Sequence, residues 1–117
     1  MQLNEIDYGK ARPIDGYGPG FFRIDDEVHD APILVTADRV TPWKGYDDPA
    51  AILALKGQID VLFVGTGPDM AYVPAAFRDK LEAEGIGVEP MTSPAACRTY
   101  NVLLSEGRRV AAALFSA

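Results

Sequence analysis

The segment Ile59-Asp60-Val61-Leu62-Phe63-Val64 carries the strongest signal for the fold class. It is nearly continuously apolar and rich in β-branched residues, which is typical of a strand buried on both faces of a sheet. A second run of this kind, Val110 to Phe115, lies near the end of the chain. Strands buried on both faces need layers packed above and below them, so these runs predict an α/β fold with parallel strands at its centre.

Helix signals lie on either side of these strands. An N-cap at Asp48 followed by proline predicts a short helix from Ala50 to Lys56. Apolar residues at helical spacing predict two further helices, from Pro74 to Gly85 and from Ser93 to Gly107, each ended by its glycine. Ile86 to Glu89 fits a short strand between them. The order strand, helix, strand, helix, strand predicts right-handed crossovers between parallel strands.

The first half of the chain follows a different pattern, in which short β-branched and aromatic runs are separated by turn residues. The predicted extended segments are Phe21 to Ile24, Glu27 to His29, Ile33 to Thr36 and Arg39 to Trp43. Asp25-Asp26 predicts an acidic hairpin turn, whereas glycines and prolines make residues 1–20 an irregular segment. The predicted fold class is α/β, with a mixed, largely parallel sheet and an antiparallel β extension from the N-terminal half.

The apolar positions on these strands and helix faces predict the core. Its predicted members are Val61, Phe63, Phe77, Leu81, Tyr100, Leu103, Ala112 and Leu114. Trp43 is predicted to anchor the β-rich half, although an exposed tryptophan would instead mark an interface.

The composition limits the functions that the protein can have. Its 117 residues, 48% hydrophobic and 24% charged, predict one globular domain spanning residues 1–117. The 17 acidic and 11 basic residues give a net charge of −6, which repels phosphate backbones and argues against binding to nucleic acid. Cys97 is the only cysteine and His29 the only histidine, so neither a disulfide nor a zinc site is predicted.

Targeting signals are also missing from the sequence. No apolar stretch approaches the roughly 20 residues that cross a bilayer, and the acidic first 20 residues do not resemble a secretory signal. We therefore expect a cytoplasmic protein that does not insert into a membrane. We also expect no metal and no cofactor.

Two segments are candidates for a ligand site. Gly65-Thr66-Gly67 follows the strand that ends at Val64, and its glycines allow the close backbone approach of phosphate loops. The dinucleotide and Walker A patterns are incomplete there, so a tight turn is the alternative. Thr92-Ser93 opens the third helix, where N–H groups and the dipole favour an anion, with plain N-capping as the alternative. Because the carboxyl ends of parallel strands meet at one edge, the two segments are predicted to converge, with Thr99 and Asn101 behind them.

No catalytic residue is predicted. Cys97 falls in the first turn of the third helix, where the dipole favours the thiolate. No base stands beside it, however, and nucleophilic chemistry needs one, so a buried packing residue is the alternative. The carboxylate pairs Asp25/Asp26 and Asp47/Asp48 fit turns and caps rather than an acid–base pair.

From Met91 to Val110 the sequence reads MTSPAACRTYNVLLSEGRRV. This stretch resembles a family of small domains of unknown function that includes bacterial and archaeal proteins, the mitochondrial complex I assembly factor 3 and an adipogenesis-associated cytoplasmic protein. Trp43, Leu62 to Gly67 and Pro74 also fall where this family has them, so the resemblance covers the chain from about Phe21 to Phe115. It implies a three-layer fold around a mixed sheet, and it implies no established enzymatic activity.

Two functions of different classes follow. The first is a non-enzymatic interaction or assembly module that acts with a protein partner. By analogy with the family, it would take part in the biogenesis of a membrane complex. We expect it to be a monomer or a weak homo-oligomer. The alternative is a small-ligand or anion-binding protein, or a minor enzyme, with its site at the carboxyl edge of the sheet. The lack of any acid–base or nucleophile–base arrangement favours the first, and the convergence of glycines and a helix start supports the second. An exposed apolar patch would point to the module, and an enclosed polar pocket to the ligand site.

Overall fold

The computed structural model describes residues 11–117, and within that range it contains eight strands and three helices. The strands are β1 (Ile14–Gly18), β2 (Phe21–Ile24), β3 (Glu27–Asp30), β4 (Ile33–Val35), β5 (Val40–Pro42), β6 (Val61–Gly65), β7 (Gly87–Met91) and β8 (Val110–Leu114). The helices are α1 (Ala50–Leu53), α2 (Ala75–Glu82) and α3 (Ser93–Ser105). The predictions made for residues 1–10 lie outside the described residues.

A five-stranded mixed sheet forms the centre of the fold, in the order β5-β4-β8-β6-β7. β6 pairs in parallel with β7 on one side and with β8 on the other. β4 runs antiparallel to both β8 and β5. The predicted mixed sheet is therefore confirmed, with its parallel part built from the strands that alternate with α2 and α3.

A separate three-stranded antiparallel sheet, β1-β2-β3, is the predicted extension from the N-terminal half. Its hairpin turn is the acidic pair Asp25-Asp26, whose φ angles of 54° and 63° are left-handed. Both φ values are positive, as in a two-residue type I′ turn, and aspartate tolerates that region better than most residues. The turn is confirmed.

The irregular segment predicted for residues 1–20 is wrong at Ile14–Gly18, which forms β1. Ile14 is 6% exposed, so its apolar side chain joins the core although glycines and prolines surround it. Pairing with β2 satisfies the backbone of this segment, with an irregularity in register between Ile14 and Gly16. Tertiary pairing thus overrides the local preference for a loop.

Two apolar clusters lie on opposite faces of the five-stranded sheet. One joins Phe63 and Ala112 to α3 and to the small sheet, and the other joins Leu62 and Ala111 to α1 and α2. Neighbouring residues of β6 and β8 enter opposite clusters, as the alternation of side chains along a strand requires. This arrangement confirms the three-layer fold that the family resemblance implied.

Most of the predicted core is buried, but α3 is rotated slightly from the prediction. Val61 and Leu103 are only half-buried, and they pack against the edge of a cluster. The buried stripe of α3 runs through Ala96, Tyr100 and Leu104, at a regular spacing of four residues. Leu104 therefore takes the core position that was predicted for Leu103.

The start of α1 also differs from the prediction. The helix covers only Ala50–Leu53, and it is capped by Pro49 without a side-chain hydrogen bond, so Asp48 is not the N-cap. Asp48 instead serves the preceding turn: its N–H donates to the carbonyl of Gly45, and its carbonyl accepts the indole N–H of Trp43 at 3.4 Å. Trp43 is 2% exposed, so its predicted role as a core anchor is confirmed.

Alanine substitutions along α3 test this rotation. Leu104→Ala is expected to lower the free energy of unfolding by about 2–5 kcal/mol, as at other buried leucines. Leu103→Ala is expected to cost on the order of 1 kcal/mol, because part of its side chain already faces water. Urea unfolding measures both, with Val102→Ala as the exposed control on the same helix. A larger loss at Leu103 than at Leu104 would contradict the assigned stripe.

Candidate functional site

The structure brings the two predicted ligand-binding segments together at the carboxyl edge of the parallel strands. Gly65, Thr66 and Gly67 leave β6, and Thr92 and Ser93 lead from β7 into α3. The N–H of Ser93 donates to the carbonyl of Gly67 at 2.8 Å, and the N–H of Gly67 donates to Ser93 Oγ at 3.0 Å. These reciprocal bonds lock the glycine loop onto the start of the helix.

Ser93 is fully buried, and its hydroxyl is shared between two elements. Besides accepting from Gly67, Ser93 Oγ donates to the carbonyl of Phe115 at 2.6 Å, just past the end of β8. The N–H of Phe115 donates in turn to the carbonyl of Gly65. One side chain therefore ties together the ends of β6 and β8 and the beginning of α3.

Gly65 is required here by close packing. A Cβ on this residue would lie 2.7 Å from Ser93 Oγ, 2.8 Å from Leu114 Cδ2 and 2.9 Å from the Cα of Ser93. These distances are shorter than non-bonded carbon and oxygen atoms tolerate. The glycine that resembled part of a phosphate loop leaves room for a neighbouring helix.

The backbone donors in the first turn of α3 are already engaged. The N–H of Ser93 is bound to the loop, and Pro94 has no N–H. The N–H of Ala95 donates to Thr92 Oγ1 at 3.3 Å, and that of Ala96 to the Thr92 carbonyl at 2.8 Å. Thr92 is thus an N-cap in the ordinary sense.

The loop after β6 closes on itself in the same way. Thr66 donates its N–H to the carbonyl of Met91 at 2.8 Å. Its Oγ1 donates to the Asp69 carbonyl at 2.8 Å and accepts the N–H of Ala71 at 3.0 Å. Gly67 has a φ of 120°, which suits glycine in such a turn.

Asn101 does not lie behind the loop as predicted. Its Oδ1 accepts the N–H of Ile14 at 2.8 Å, and its Nδ2 donates to the Ile14 carbonyl at 2.9 Å. The side-chain amide has both a donor group and an acceptor, so it forms the same pair of hydrogen bonds as a neighbouring strand would. These two bonds attach the start of β1 to α3. Thr99 is half-buried and lies beside Arg98, Val102 and Leu103 on another side of α3.

Cys97 is a packing residue in the cluster below the small sheet. It is 3% exposed, and burial raises the pKa of its thiol to about 12, against a smaller lowering by the Arg98 charge. A thiol with that pKa stays protonated at neutral pH, which makes it a poor nucleophile. Burial and, to a smaller extent, the Asp38 charge also raise the pKa of Tyr100, whose buried hydroxyl has no hydrogen-bond partner among the described residues.

The remaining candidates are dispersed over the surface. His29 lies on β3, 3.9 Å from the carboxylate of Glu27. Within residues 11–117, no three side chains of histidine, cysteine, aspartate or glutamate come together as metal ligands. None of the helices in that range has the length and apolar character needed to span a membrane.

Several large apolar side chains are exposed, which the sequence pattern did not predict. They are Tyr17, Val28, Met70, Tyr72 and Val102. Tyr72 is 96% exposed and follows the loop that carries the candidate ligand residues. Apart from Val102, these residues lie in short strands and loops, where neither helical periodicity nor strand alternation distinguishes an exposed apolar side chain from a buried one.

One family model matches most of the chain. The family model described as protein of unknown function (DUF498/DUF598) matches residues 14–115, so the match begins at β1 and not at Phe21. An uncharacterised protein of Rhodobacter capsulatus is 53% identical over 114 residues, which are 97% of this chain and 92% of the relative.

A second relative, from Danio rerio, is named NADH dehydrogenase [ubiquinone] 1 alpha subcomplex assembly factor 3. It is 32% identical over 108 residues, which are 86% of this chain and 62% of the relative. Among solved structures, an outer membrane protein from Bartonella henselae matches with a TM-score of 0.82 and 38% identity, over 92% of this chain and 96% of that one.

Removal of the Ser93 hydroxyl tests the junction. Ser93→Ala is expected to lower the free energy of unfolding by about 1–3 kcal/mol, because it leaves the Gly67 N–H and the Phe115 carbonyl buried without this partner. Ser105→Ala is the matched control on the same helix, since among residues 11–117 that hydroxyl bonds only to the neighbouring Val102 carbonyl. Its change is expected to stay within about 0.5 kcal/mol. Equal effects at the two serines would show that the junction adds no stability.

Anion binding at this edge stays a prediction. We expect phosphate to bind with a dissociation constant on the order of millimolar or weaker, since it must compete with hydrogen bonds already made. A titration followed by amide chemical shifts measures this, and the largest saturating shifts are expected in residues 65–70 and 92–97. Saturating shifts elsewhere, or none that saturate, would contradict a ligand site here.

Proposed function

The chain belongs to the family of proteins of unknown function DUF498/DUF598, and we propose that it is a non-catalytic interaction module that helps to assemble a membrane protein complex. The proposal takes the whole chain as one domain that acts in the cytoplasm with a protein partner, as a monomer or weak homo-oligomer. A cytoplasmic site is supported by the single buried cysteine, since reducing compartments do not favour disulfides.

The observation that carries the proposal is how the polar groups of the candidate site are used. The N–H groups of Gly67, Ser93, Ala95 and Ala96 and the Ser93 hydroxyl are engaged in bonds within the protein, and Ser93 has no exposed surface. The thiol of Cys97 is buried and protonated. Catalysis needs a reactive group that substrate can reach and a base or acid beside it. The described residues provide no such arrangement, which favours a function through surface contacts.

The surface supports contacts with protein. Met70 and Tyr72 are more than half exposed in a loop that leaves β6. Methionine and aromatic residues are enriched in protein interfaces, where their area contributes binding energy without buried charge. Folded chains seldom leave such side chains in water without a role when several are exposed together.

The membrane complex in the proposal comes from the relatives. The Danio rerio relative is named as an assembly factor of the NADH dehydrogenase that uses ubiquinone, and this chain spans 62% of its length. We therefore propose the bacterial counterpart of that membrane dehydrogenase as the complex whose assembly the protein assists. The part of the relative beyond the shared region has no equivalent in this comparison, so the proposal rests on the shared domain.

Deletion of the gene in a bacterium that carries it tests this function. Membranes of the deletion strain are expected to oxidise NADH more slowly with ubiquinone as acceptor, and native gels are expected to show partly assembled dehydrogenase. Wild-type protein and Cys97→Ala are both expected to restore activity, because the thiol serves only packing.

Two results would contradict the proposal. An unchanged dehydrogenase in the deletion strain would remove the assembly role. Failure of a folded Cys97→Ala protein to restore activity would show that thiol chemistry is needed, and thermal unfolding of the purified variant verifies that it is folded.

A further inference from the structure

The free edge of β3 carries backbone groups without partners. The hairpin turn has two residues, so the closing pair Ile24–Glu27 is hydrogen-bonded, and bonded pairs then alternate with non-bonded ones along the strands. The bond from the N–H of Ala31 to the Gly20 carbonyl, 2.9 Å long, continues that alternation beyond β3. Val28 and Asp30 therefore direct their N–H and C=O groups away from β2, and no described residue bonds to them.

A groove of about 430 Å³ runs along this edge. Val28 and Asp30 line one side of it, and Thr41, Pro42 and Trp43 line the other. On that second side β5 is the edge of the large sheet, and by the same alternation Val40 and Pro42 are its outward positions. Pro42, which lines the groove, has no N–H, so β5 offers fewer backbone donors to a partner there than β3 does.

The side chains around the edge define what it could accept. Val28 is 59% exposed, although a β-branched residue on a strand normally packs against a neighbour. Asp26, Glu27 and Asp30 are exposed acids at or beside the edge, and Asp26 and Asp30 have no ion pair among the described residues. Arg23 is the exposed cation of this hairpin. The edge is therefore apolar at its centre and negatively charged at its ends.

We infer that the free edge of β3 binds an extended, basic segment of a partner protein by strand addition. The backbone groups of Val28 and Asp30 pair with the segment, and a β-branched side chain of the segment packs on Val28. Lysine or arginine side chains of the segment meet Asp30 and Asp26, whereas Asp25 already pairs with Arg12 at 3.3 Å. A second copy of this chain is disfavoured at the same edge, because pairing two β3 strands would bring their acids together. The inference rests on the proposed function, since it names the surface and the chemistry of that partner.

A peptide titration tests the inference on the full chain. The probe is a capped pentapeptide with the order lysine, threonine, valine, threonine, lysine, which places the valine and both lysines on the same face of an added strand. The matched probe has glutamate in place of each lysine. At low ionic strength the lysine peptide is expected to shift the amide signals of Val28 and Asp30 most, and to bind about tenfold or more tightly than the glutamate peptide. Shifts that are largest elsewhere, or equal affinity for the two peptides, would overturn the inference.

Variants separate the backbone from the charge. Val28→Pro removes an outward N–H without breaking the ladder to β2, and it is expected to weaken binding about three- to tenfold or more. Asp30→Lys keeps the backbone and reverses the charge, so it remains informative if the proline variant does not fold, and it is also expected to weaken binding. Val28→Lys and Val102→Lys are a matched pair at equally exposed valines, of which only the first should weaken binding. Wild-type affinity in Val28→Pro and Asp30→Lys would overturn the inference.

Two further measurements distinguish this inference from its premise. Sedimentation that reveals a dimer abolished by Asp30→Lys would assign the edge to a second copy and overturn the inference. In the deletion strain, full restoration of the dehydrogenase by folded Val28→Lys and Asp30→Lys proteins would overturn the role of this edge while the assembly function stands. A deletion strain without any defect would instead contradict the assembly function, whatever the peptide binds.

Discussion

Burial of both faces of the β6–β8 pair is the main constraint on this fold. Residues Ala111 to Ala113 of β8 have no exposed surface, and Leu62 and Val64 of β6 are equally enclosed. Strands of this kind are stable only when layers cover both sides, so α1 and α2 must pack on one face and α3 with the small sheet on the other. The short alanine side chains allow those layers to approach the sheet closely, which in turn makes each crossing point sensitive to one methyl group.

The crossing of α3 over the end of β6 is such a point. Gly65 leaves room for Ser93, and the Ser93 hydroxyl joins the loop after β6 to the end of β8. A glycine loop before a capped helix is also what a phosphate site looks like in sequence. In a phosphate site the backbone N–H groups donate to the ligand, whereas in this protein they donate to other groups of the chain.

The edge strands of the two sheets differ in whether they contain a proline. Both edge strands of the large sheet contain a proline, Pro42 in β5 and Pro90 in β7, as is common where proteins avoid unwanted pairing. β3, one of the two edge strands of the small sheet, has no proline and leaves Val28 exposed. The edges of the large sheet thus differ from β3 in the backbone donors that they leave open to water.

The α/β class, the two central strands and the acidic hairpin could be predicted from the sequence, because burial on both faces and turn chemistry produce local sequence patterns. The approach of Gly65 to Gly67 to Thr92-Ser93 could also be predicted, since parallel strands end at the same edge of a sheet. Three features became apparent only from tertiary contacts: Ile14–Gly18 is a strand, Asn101 binds that strand, and Leu104 rather than Leu103 faces the core. Each of these depends on a partner far away in sequence, and no periodicity within one segment encodes which distant group will satisfy a backbone or fill a gap.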